Sequence, residues 1–266
     1  MNQMRFRHSR RYVYVYYEGE GSEKAYLEFL KSRFHDVIII KGKRGFYPNT
    51  EKDLKKPNSD LNKNWDTINE IWFFFDIDPV AMMDGRIASW KKLEDVIKKI
   101  DDRSGKKIKI RILMTTGCIE YWFLLHFERT QPTMDGQPFK EKVFNRLKTH
   151  VPQYTKAGTD VIMKFADEKM ENAIGNAQRI MQSIVNNGQW AKADRKADRK
   201  ADRYRQLYTS GATFSTIFET LVELKDTANC KMKLTGRSGL ALSKVISESE
   251  NSDWVSGWKS KVVPFL

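Results

Sequence analysis

The sequence contains few of the residues that build disulfide scaffolds or zinc sites. It has only two cysteines, Cys118 and Cys230, which lie far apart and form no CxxC pair. Its four histidines do not stand at zinc-ligand spacing from a cysteine or from one another. These absences argue against a disulfide scaffold and a structural zinc, and they fit a reducing compartment.

The sequence also lacks an apolar run of membrane-spanning length. Its longest apolar segments, Ile71–Phe75 and Tyr121–Phe127, are far shorter than the ~20 residues that a span needs. Near the N-terminus, Tyr12–Tyr17 is short and is followed directly by acidic residues, which is not the pattern of an export signal. We therefore expect a cytoplasmic protein with no membrane partner.

Acidic residues are outnumbered by basic ones, 34 to 47, which gives the 266 residues a formal net charge of +13. Such a surplus favours an anionic partner, and nucleic acid comes first because phosphate neutralisation supplies most non-specific affinity. A merely soluble basic surface is the alternative. Lys41, Lys43 and Arg44 precede two aromatic residues and could track a nucleic-acid backbone, although a solvated loop is the favoured interpretation of that segment.

The first half of the chain alternates between strand and helix patterns. Runs rich in β-branched and aromatic residues predict strands, and apolar residues at helical spacing predict helices. The predicted strands cover 12–17, 36–41, 71–75 and 107–114, and the predicted helices cover 23–34 and 87–100. Ser22 is expected to cap the first helix, and Gly42–Leu61 is expected to be a loop. This alternation predicts an α/β fold with a parallel sheet flanked by helices.

The second half of the chain is predicted to be mostly helical. Helices are expected over 139–148, 159–186 and 213–225, after a linker at 131–138. We therefore expect an α/β catalytic domain at 12–128 and a helical region at 139–266. The tetrad KADR occurs three times at 192–203, which predicts a solvated helical insertion, with a helix facing nucleic acid as the alternative. No role can be assigned to the residues after Asn229.

Three carboxylates stand at the ends of predicted strands. Glu18 follows the first strand, and Asp76 and Asp78 follow the third. Residues two apart in a strand point to the same side, and ligands of open parallel sheets bind beyond the carboxyl ends of the strands. Hard oxygen ligands of this kind suit Mg²⁺ or Mn²⁺. We therefore predict that Glu18, Asp76 and Asp78 bind a divalent metal ion, against the alternative that the aspartates only shape a turn.

Several segments resemble motifs of a known family. Glu18 to Tyr26 and Asp76-Ile77-Asp78 are similar to the two acidic motifs of Toprim domains. Cys118 to Phe127 resembles the C-F-E-x-W-x-x-x-H-F signature of the RloB family, which consists of Toprim-type proteins implicated in anti-phage defence. Further similarities are Tyr154-Thr155-Lys156, Ala173 with Asn176-Ala177, and Thr213 to Leu224. The resemblance extends from about Tyr12 to Lys225, with Ser22 where threonine is usual and Ile77 where arginine is common.

Four residues are predicted to contribute to catalysis, and one of them, Glu18, is also a predicted metal ligand. Glu18 could act as a general acid or base. Glu120 lies in an apolar segment, so it is expected either to belong to the site or to form a buried salt bridge. His126 could move a proton or contact phosphate, and a packed, hydrogen-bonded histidine is equally compatible with the sequence. Lys156 could stabilise charge that develops on a phosphate.

The resemblance implies a metal-dependent nuclease that acts as an effector in bacterial anti-phage defence. Its substrate would be RNA, with tRNA as one option, or DNA, and an AAA-type ATPase is a possible partner. Assembly into an oligomer is also compatible with the sequence. The alternative is a non-catalytic subunit that binds nucleic acid or the ATPase. A topoisomerase is disfavoured because the chain has no room for strand-passage domains, and a primase because no zinc-binding module is present.

Overall fold

A parallel sheet of four strands forms the centre of the protein. The structure, a computed structural model, describes residues 10–78, 83–105, 107–133, 137–156, 158–186 and 199–234. The strands are β1 (Arg11–Tyr17), β2 (Ile38–Arg44), β3 (Glu70–Ile77) and β4 (Lys109–Thr116). They lie in the order β2-β1-β3-β4, and every pair is parallel. The predicted α/β fold is confirmed, and its topology is consistent with a Toprim-like arrangement.

Helices connect the strands and make up most of the described chain after β4. They are α1 (Ser22–Arg33), α2 (Tyr47–Lys55), α3 (Asp60–Lys63), α4 (Met83–Ser104), α5 (Ile119–Leu124), α6 (Gln137–His150), α7 (Thr159–Glu168), α8 (Met170–Asn186), α9 (Arg199–Thr209) and α10 (Ile217–Leu234). None of the helices in the described ranges combines the length and the apolarity needed to cross a membrane.

The two central strands are covered on both faces. Val13–Tyr16 in β1 and Ile71–Phe75 in β3 are all buried, which explains their continuous apolar sequences. At the carboxyl end of β3, the apolar run is followed by Asp76. The sheet therefore carries Asp76 at the edge where a parallel fold leaves room for a ligand.

The prediction of a loop over Gly42–Leu61 is wrong. β2 continues to Arg44 because it pairs with β1 along the whole length of that strand, ending with Tyr17 opposite Arg44. The polar helix α2 follows and is held to the sheet by the buried Asp53. The carboxylate of Asp53 accepts hydrogen bonds from the Tyr16 hydroxyl at 3.0 Å and from the Lys43 ammonium at 2.6 Å. Tertiary contacts thus order a segment whose composition is typical of a loop.

Two predicted helices have different boundaries in the structure. The segment 159–186 forms two helices, because α7 ends at Glu168 and α8 begins at Met170 without a proline or glycine at the break. The segment 213–225 becomes helical only at Ile217. Before it, the Thr216 hydroxyl accepts a hydrogen bond from the Met114 amide and donates one to the Ile112 carbonyl, both at 2.9 Å. Thr213–Thr216 therefore runs beside β4 instead of starting a helix.

The chain divides into two compact units, residues 1–224 and 225–266. The predicted boundary between 128 and 139 falls within the first unit. Most of the KADR repeat, residues 192–198, lies outside the described residues, and α9 begins at Arg199. The residues after 234, for which the sequence predicts no role, also lie outside the described part.

Candidate active site

A cavity of about 430 Å³ opens at the carboxyl edge of the sheet, and all three predicted metal ligands line it. Glu18 lies directly after β1, and Asp76 and Asp78 lie at the end of the neighbouring strand β3. The other lining residues are Phe46, Phe75, Gly85, Arg86, Ser89, Lys140 and Tyr208. The structure thus brings Glu18 together with the aspartate pair, although 58 residues or more separate them along the chain.

Asp76 carries a buried oxygen atom without a hydrogen-bond partner. This atom is Oδ1, which is shielded from solvent. Burial raises the pKa of the Asp76 carboxyl well above its ordinary value, and the negative charges of Glu23, Glu120 and Glu18 raise it further. An ionised carboxylate in such surroundings is costly unless a cation compensates for it. A cation bound at Asp76 would therefore stabilise the ionised form of this carboxyl.

The side chain of Glu18 is exposed, whereas Asp76 is half-buried. Partial desolvation, Glu23 and Asp78 raise the pKa of Glu18, while a backbone hydrogen bond from Asp76 and the positive charge of Lys140 oppose them. The pKa of this carboxyl is raised overall. A solvent-accessible carboxyl with a raised pKa is suited to proton exchange with a substrate or water.

Glu23 is a member of this acidic cluster that the sequence interpretation missed. It lies in the first turn of α1 and is buried. Its carboxylate occupies the space that a side chain at Gly19 would need, since a Cβ there would lie 2.0 Å from Oε2 of Glu23. Burial and the charge of Glu120 raise the pKa of Glu23. The sequence contained a sign of this, because Glu23 stands just after the glycine-containing turn that begins at Glu18.

Glu120 is buried beside the cluster and is held by two hydroxyl groups. Its Oε1 accepts hydrogen bonds from Ser22 Oγ at 3.0 Å and from the Tyr154 hydroxyl at 2.9 Å. The Ser22 and Tyr154 oxygens are themselves 2.8 Å apart. Glu120 does not line the cavity, but its charge acts on Asp76 and Glu23. Within the described part of the chain, Glu120 therefore neither lines the cavity nor pairs with a basic residue. Hydroxyl groups hydrogen-bond its carboxylate instead.

The thiol of Cys118 lies next to the same carboxylates. Burial raises the pKa of Cys118 well above its ordinary value, and the charges of Glu120 and Asp76 raise it further. The sulfur therefore stays protonated at neutral pH, and it is hydrogen-bonded to Glu120.

The prediction that Ser22 caps α1 is wrong. Gly21 occupies the capping position, and Ser22 is the first helical residue, with its hydroxyl directed to Glu120. Gly21 is required there by a close backbone approach, because a Cβ would lie 2.5 Å from the carbonyl oxygen of Lys156. That carbonyl also lies 3.3 Å from Ser22 Oγ. The serine hydroxyl therefore joins three distant segments of the chain instead of closing a helix end.

Lys156 and His126 are placed outside the cavity. Lys156 contributes its backbone carbonyl to the Ser22 contact, and its exposed side chain acts electrostatically on Glu23. His126 is fully buried, and its Nδ1 lies 3.0 Å from the Trp122 carbonyl oxygen. Burial lowers the pKa of His126 to about 4, so its ring is neutral at pH 7. The packed histidine of the alternative interpretation matches this geometry.

The three cations predicted to bind nucleic acid all pair with carboxylates. Lys41 lies 3.2 Å from Asp60, Lys43 lies 2.6 Å from Asp53, and Arg44 pairs with Glu20. These side chains remain partly exposed, but their charges are compensated within the protein. Their role in nucleic-acid binding stays a prediction.

Lys140 is an exposed cation that the structure places at the cavity instead. It belongs to α6, lines the cavity and is exposed. Its charge lowers the pKa of both Asp76 and Glu18. No local pattern singles it out among the 47 basic residues, because only the packing of α6 brings it to the carboxyl edge of the sheet.

The chemistry of the cavity fits a hard divalent cation. Every predicted donor is a carboxylate oxygen, and Oδ1 of Asp76 lacks a hydrogen-bond partner. Across the described ranges, no three acidic, histidine or cysteine side chains converge as a ready-made metal-binding group. Mg²⁺ commonly keeps several water ligands and uses one or two carboxylates, so it does not need such a group. Asp76 and Asp78, with Glu18 nearby, are the residues that would hold it.

Comparison with known proteins agrees with the motifs that meet around this site. No curated protein matches the chain. The sequence model of the RloB-like protein family matches residues 13–221, a range that includes both acidic motifs, the Glu120 segment and the Tyr154 segment. Because this match covers most of the chain, the protein belongs to the RloB-like family.

Proposed function

We propose that the protein is a metal-dependent nuclease that hydrolyses phosphodiester bonds in RNA, with tRNA as one option, or in DNA. The observation that carries the proposal is the meeting of Glu18, Asp76 and Asp78 at one cavity, where a buried Asp76 oxygen has no hydrogen-bond partner. Membership of the RloB-like family supports a defence-related role. We infer an effector of anti-phage defence that acts in the cytoplasm.

The residues of the cavity have different proposed roles in the hydrolysis. Asp76 and Asp78 would bind Mg²⁺ or Mn²⁺, which when bound supplies positive charge at the scissile phosphate. Glu18 would also contribute a ligand, and its raised pKa suits it to hold or release a proton at the carboxyl oxygen. Lys140 would bind a phosphate oxygen of the substrate, because it is the exposed cation of the cavity.

The buried network behind the cavity positions these groups. Glu120 receives hydrogen bonds from Ser22 and Tyr154, which join the start of α1 to the segment after α6. Its negative charge also raises the pKa of Asp76, so a cation bound there would be more stabilising. Glu120 is therefore proposed as a positioning residue and not as a group that touches the substrate.

The test is nucleic-acid cleavage by the purified protein, alone and with an AAA-type ATPase partner. Mg²⁺ or Mn²⁺ should support cleavage of RNA or DNA, and a chelator should stop it. Asp76→Ala should reduce cleavage to background while circular dichroism shows a folded protein. Glu28→Ala is the matched control, since Glu28 is an exposed acidic residue of α1 paired with Lys31. Full cleavage by the Asp76 variant would refute the site.

A second candidate function is a non-catalytic subunit that binds nucleic acid or the ATPase. It is favoured by the absence, within the described residues, of a converged group of three metal-binding side chains. Under this alternative, the activated complex would bind RNA or DNA and would cut neither. Binding that persists in a chelator, with no new strand ends by sequencing, would support it over the nuclease.

A further inference from the structure

The cavity has an aromatic wall in addition to its acidic wall. Phe46, Phe75 and Tyr208 line it together with the carboxylates. The Phe46 and Phe75 ring centroids are 4.3 Å apart, and Tyr208 approaches Phe75 edge-on at 6.2 Å. On its other side, Tyr208 lies 5.3 Å from Trp90. The proposed hydrolysis does not use these rings.

The aromatic wall combines fixed rings with accessible ones. Phe75 and Trp90 are 1% and 2% exposed, so they form a rigid backing. Phe46 and Tyr208 are only half-buried and present part of their surfaces at the cavity. They come from distant segments, one after β2 and the other in α9, so local sequence does not account for their meeting. A purely structural cluster would not need to border the cavity.

Strand geometry explains why the two walls adjoin. Successive side chains of β3 point to opposite faces of the sheet, so Phe75 and Asp76 lie on different sides of its edge. The cavity spans this edge. Arg86 lies at the junction, where its Nη2 donates a hydrogen bond to the Asp78 carbonyl oxygen at 2.9 Å. A ligand bound there would contact carboxylates or their metal ion at one end and aromatic rings at the other.

We propose that the aromatic wall binds one unpaired nucleobase next to the phosphate held at the acidic wall. This inference rests on the proposed function for the class of ligand. A base inside a duplex has both faces covered by its neighbours, so only a single-stranded, looped or extruded base can stack on a protein ring. A cavity of about 430 Å³ has the size of a small-molecule site, which suits one nucleotide. The preferred substrate is therefore a single strand or a loop.

The chemistry of the cavity favours a nucleotide over a purely apolar ligand. The aromatic wall alone would accept many flat apolar molecules, but Arg86, Lys140 and three carboxylates line the same space. A nucleotide places an aromatic base and an anionic phosphate a short distance apart, which matches the two walls.

The experiment uses one labelled sequence in three forms: single strand, hairpin loop and full duplex, as RNA and as DNA. A 2-aminopurine at successive positions reports stacking by fluorescence quenching, measured in Ca²⁺, and cleavage is measured separately in Mg²⁺. We expect quenching at one position of the single strand or loop, none in the duplex, and faster cleavage of the unpaired forms.

Aromatic variants assign the effect to this wall. Tyr208→Leu and Phe46→Leu should each weaken binding of the single strand by about tenfold, because each removes a stacking surface. Tyr208→Phe keeps the ring and should bind normally. Trp65→Leu is the control for loss of a partly exposed ring elsewhere, since Trp65 lies against Arg103 at the far end of α4. Melting curves show whether each variant is folded.

The outcomes separate this inference from the proposed function. Cleavage of duplex and single strand at equal rates, unchanged in both leucine variants, would overturn the aromatic pocket and leave the nuclease standing. Ring-dependent binding of the single strand without cleavage would support the pocket and count against the nuclease. Neither binding nor cleavage of any substrate would overturn both.

Discussion

Replacing Asp76 with asparagine should stabilise the metal-free protein while it abolishes the proposed activity. Asp76 keeps one oxygen buried without a partner, and three neighbouring carboxylates repel its charge. Its ordinary pKa is 3.8, and the folded state raises it well above that value. The isosteric amide removes the ionisable group without changing the shape of the side chain.

The size of the effect follows from the pKa difference. Each unit between the folded and unfolded pKa corresponds to ~1.4 kcal/mol, so at pH 7 the carboxyl can cost at most about 4 kcal/mol. A buried asparagine amide without hydrogen-bond partners costs roughly 1–3 kcal/mol, which reduces the gain by that amount. We therefore expect Asp76→Asn to raise the free energy of unfolding by no more than about 3 kcal/mol, which corresponds to roughly 2–4 °C in Tm per kcal/mol.

The pH dependence gives the sharper test. Because folding raises the pKa of Asp76, its contribution to stability is complete below pH ~3.8 and is lost as the pH rises through the folded-state pKa. The advantage of Asp76→Asn should therefore be small near pH 4 and largest near pH 7.5, measured by thermal unfolding in a chelator. Glu28→Gln, an exposed control, should show no such trend. An Asp76→Asn protein that melts at or below the wild-type temperature at pH 7.5 would refute the reasoning.

Three further predictions concern buried groups outside the cavity. Tyr154→Phe removes a hydroxyl donor from Glu120 and should cost about 1–3 kcal/mol in chemical denaturation, whereas Ser22→Thr keeps its hydroxyl and should cost less. Burial lowers the pKa of His126 to about 4, so its contribution is present above pH ~6.5 and is lost as the pH falls. Between pH 7 and pH 4, the free energy of unfolding of His126→Phe should therefore fall by about 3 kcal/mol less than that of the wild type, and cleavage should stay intact. A variant whose stability falls with pH as steeply as that of the wild type would contradict this. Burial would raise the pKa of Glu70, but the hydrogen bonds and charge of Arg111 outweigh burial and lower it. Glu70→Gln should cost about 3 kcal/mol in urea unfolding at pH 7, and less as the pH falls below ~4.5; an equal cost at pH 3 and pH 7 would argue against this ion pair.

The sheet and the acidic edge could be predicted because they depend on local patterns and one general rule. Val13–Tyr16 and Ile71–Phe75 are continuous apolar runs, as expected for central parallel strands, and the carboxyl ends of such strands share one edge. The positions of Glu18 and Asp76 follow from that rule. No contact between distant segments had to be known in advance.

The remaining features depend on tertiary contacts that a local pattern does not contain. A serine before a helical run is typical of a cap, and only the approach of Glu120 and Tyr154 shows why Ser22 points elsewhere. The helix α2 has a loop-like composition and is ordered through Asp53. Lys140 is one basic residue among many, and the packing of α6 alone brings it to the cavity.

Direct measurement of metal binding tests the central claim most closely. Mn²⁺ can be titrated into the protein and followed by electron paramagnetic resonance, with no substrate present. The wild type and Glu28→Gln should bind one or two ions per chain, and Asp76→Asn and Asp78→Asn should each bind at least tenfold more weakly. Equal Mn²⁺ affinity in the wild type and both aspartate variants would contradict the assignment of this cavity as the metal site.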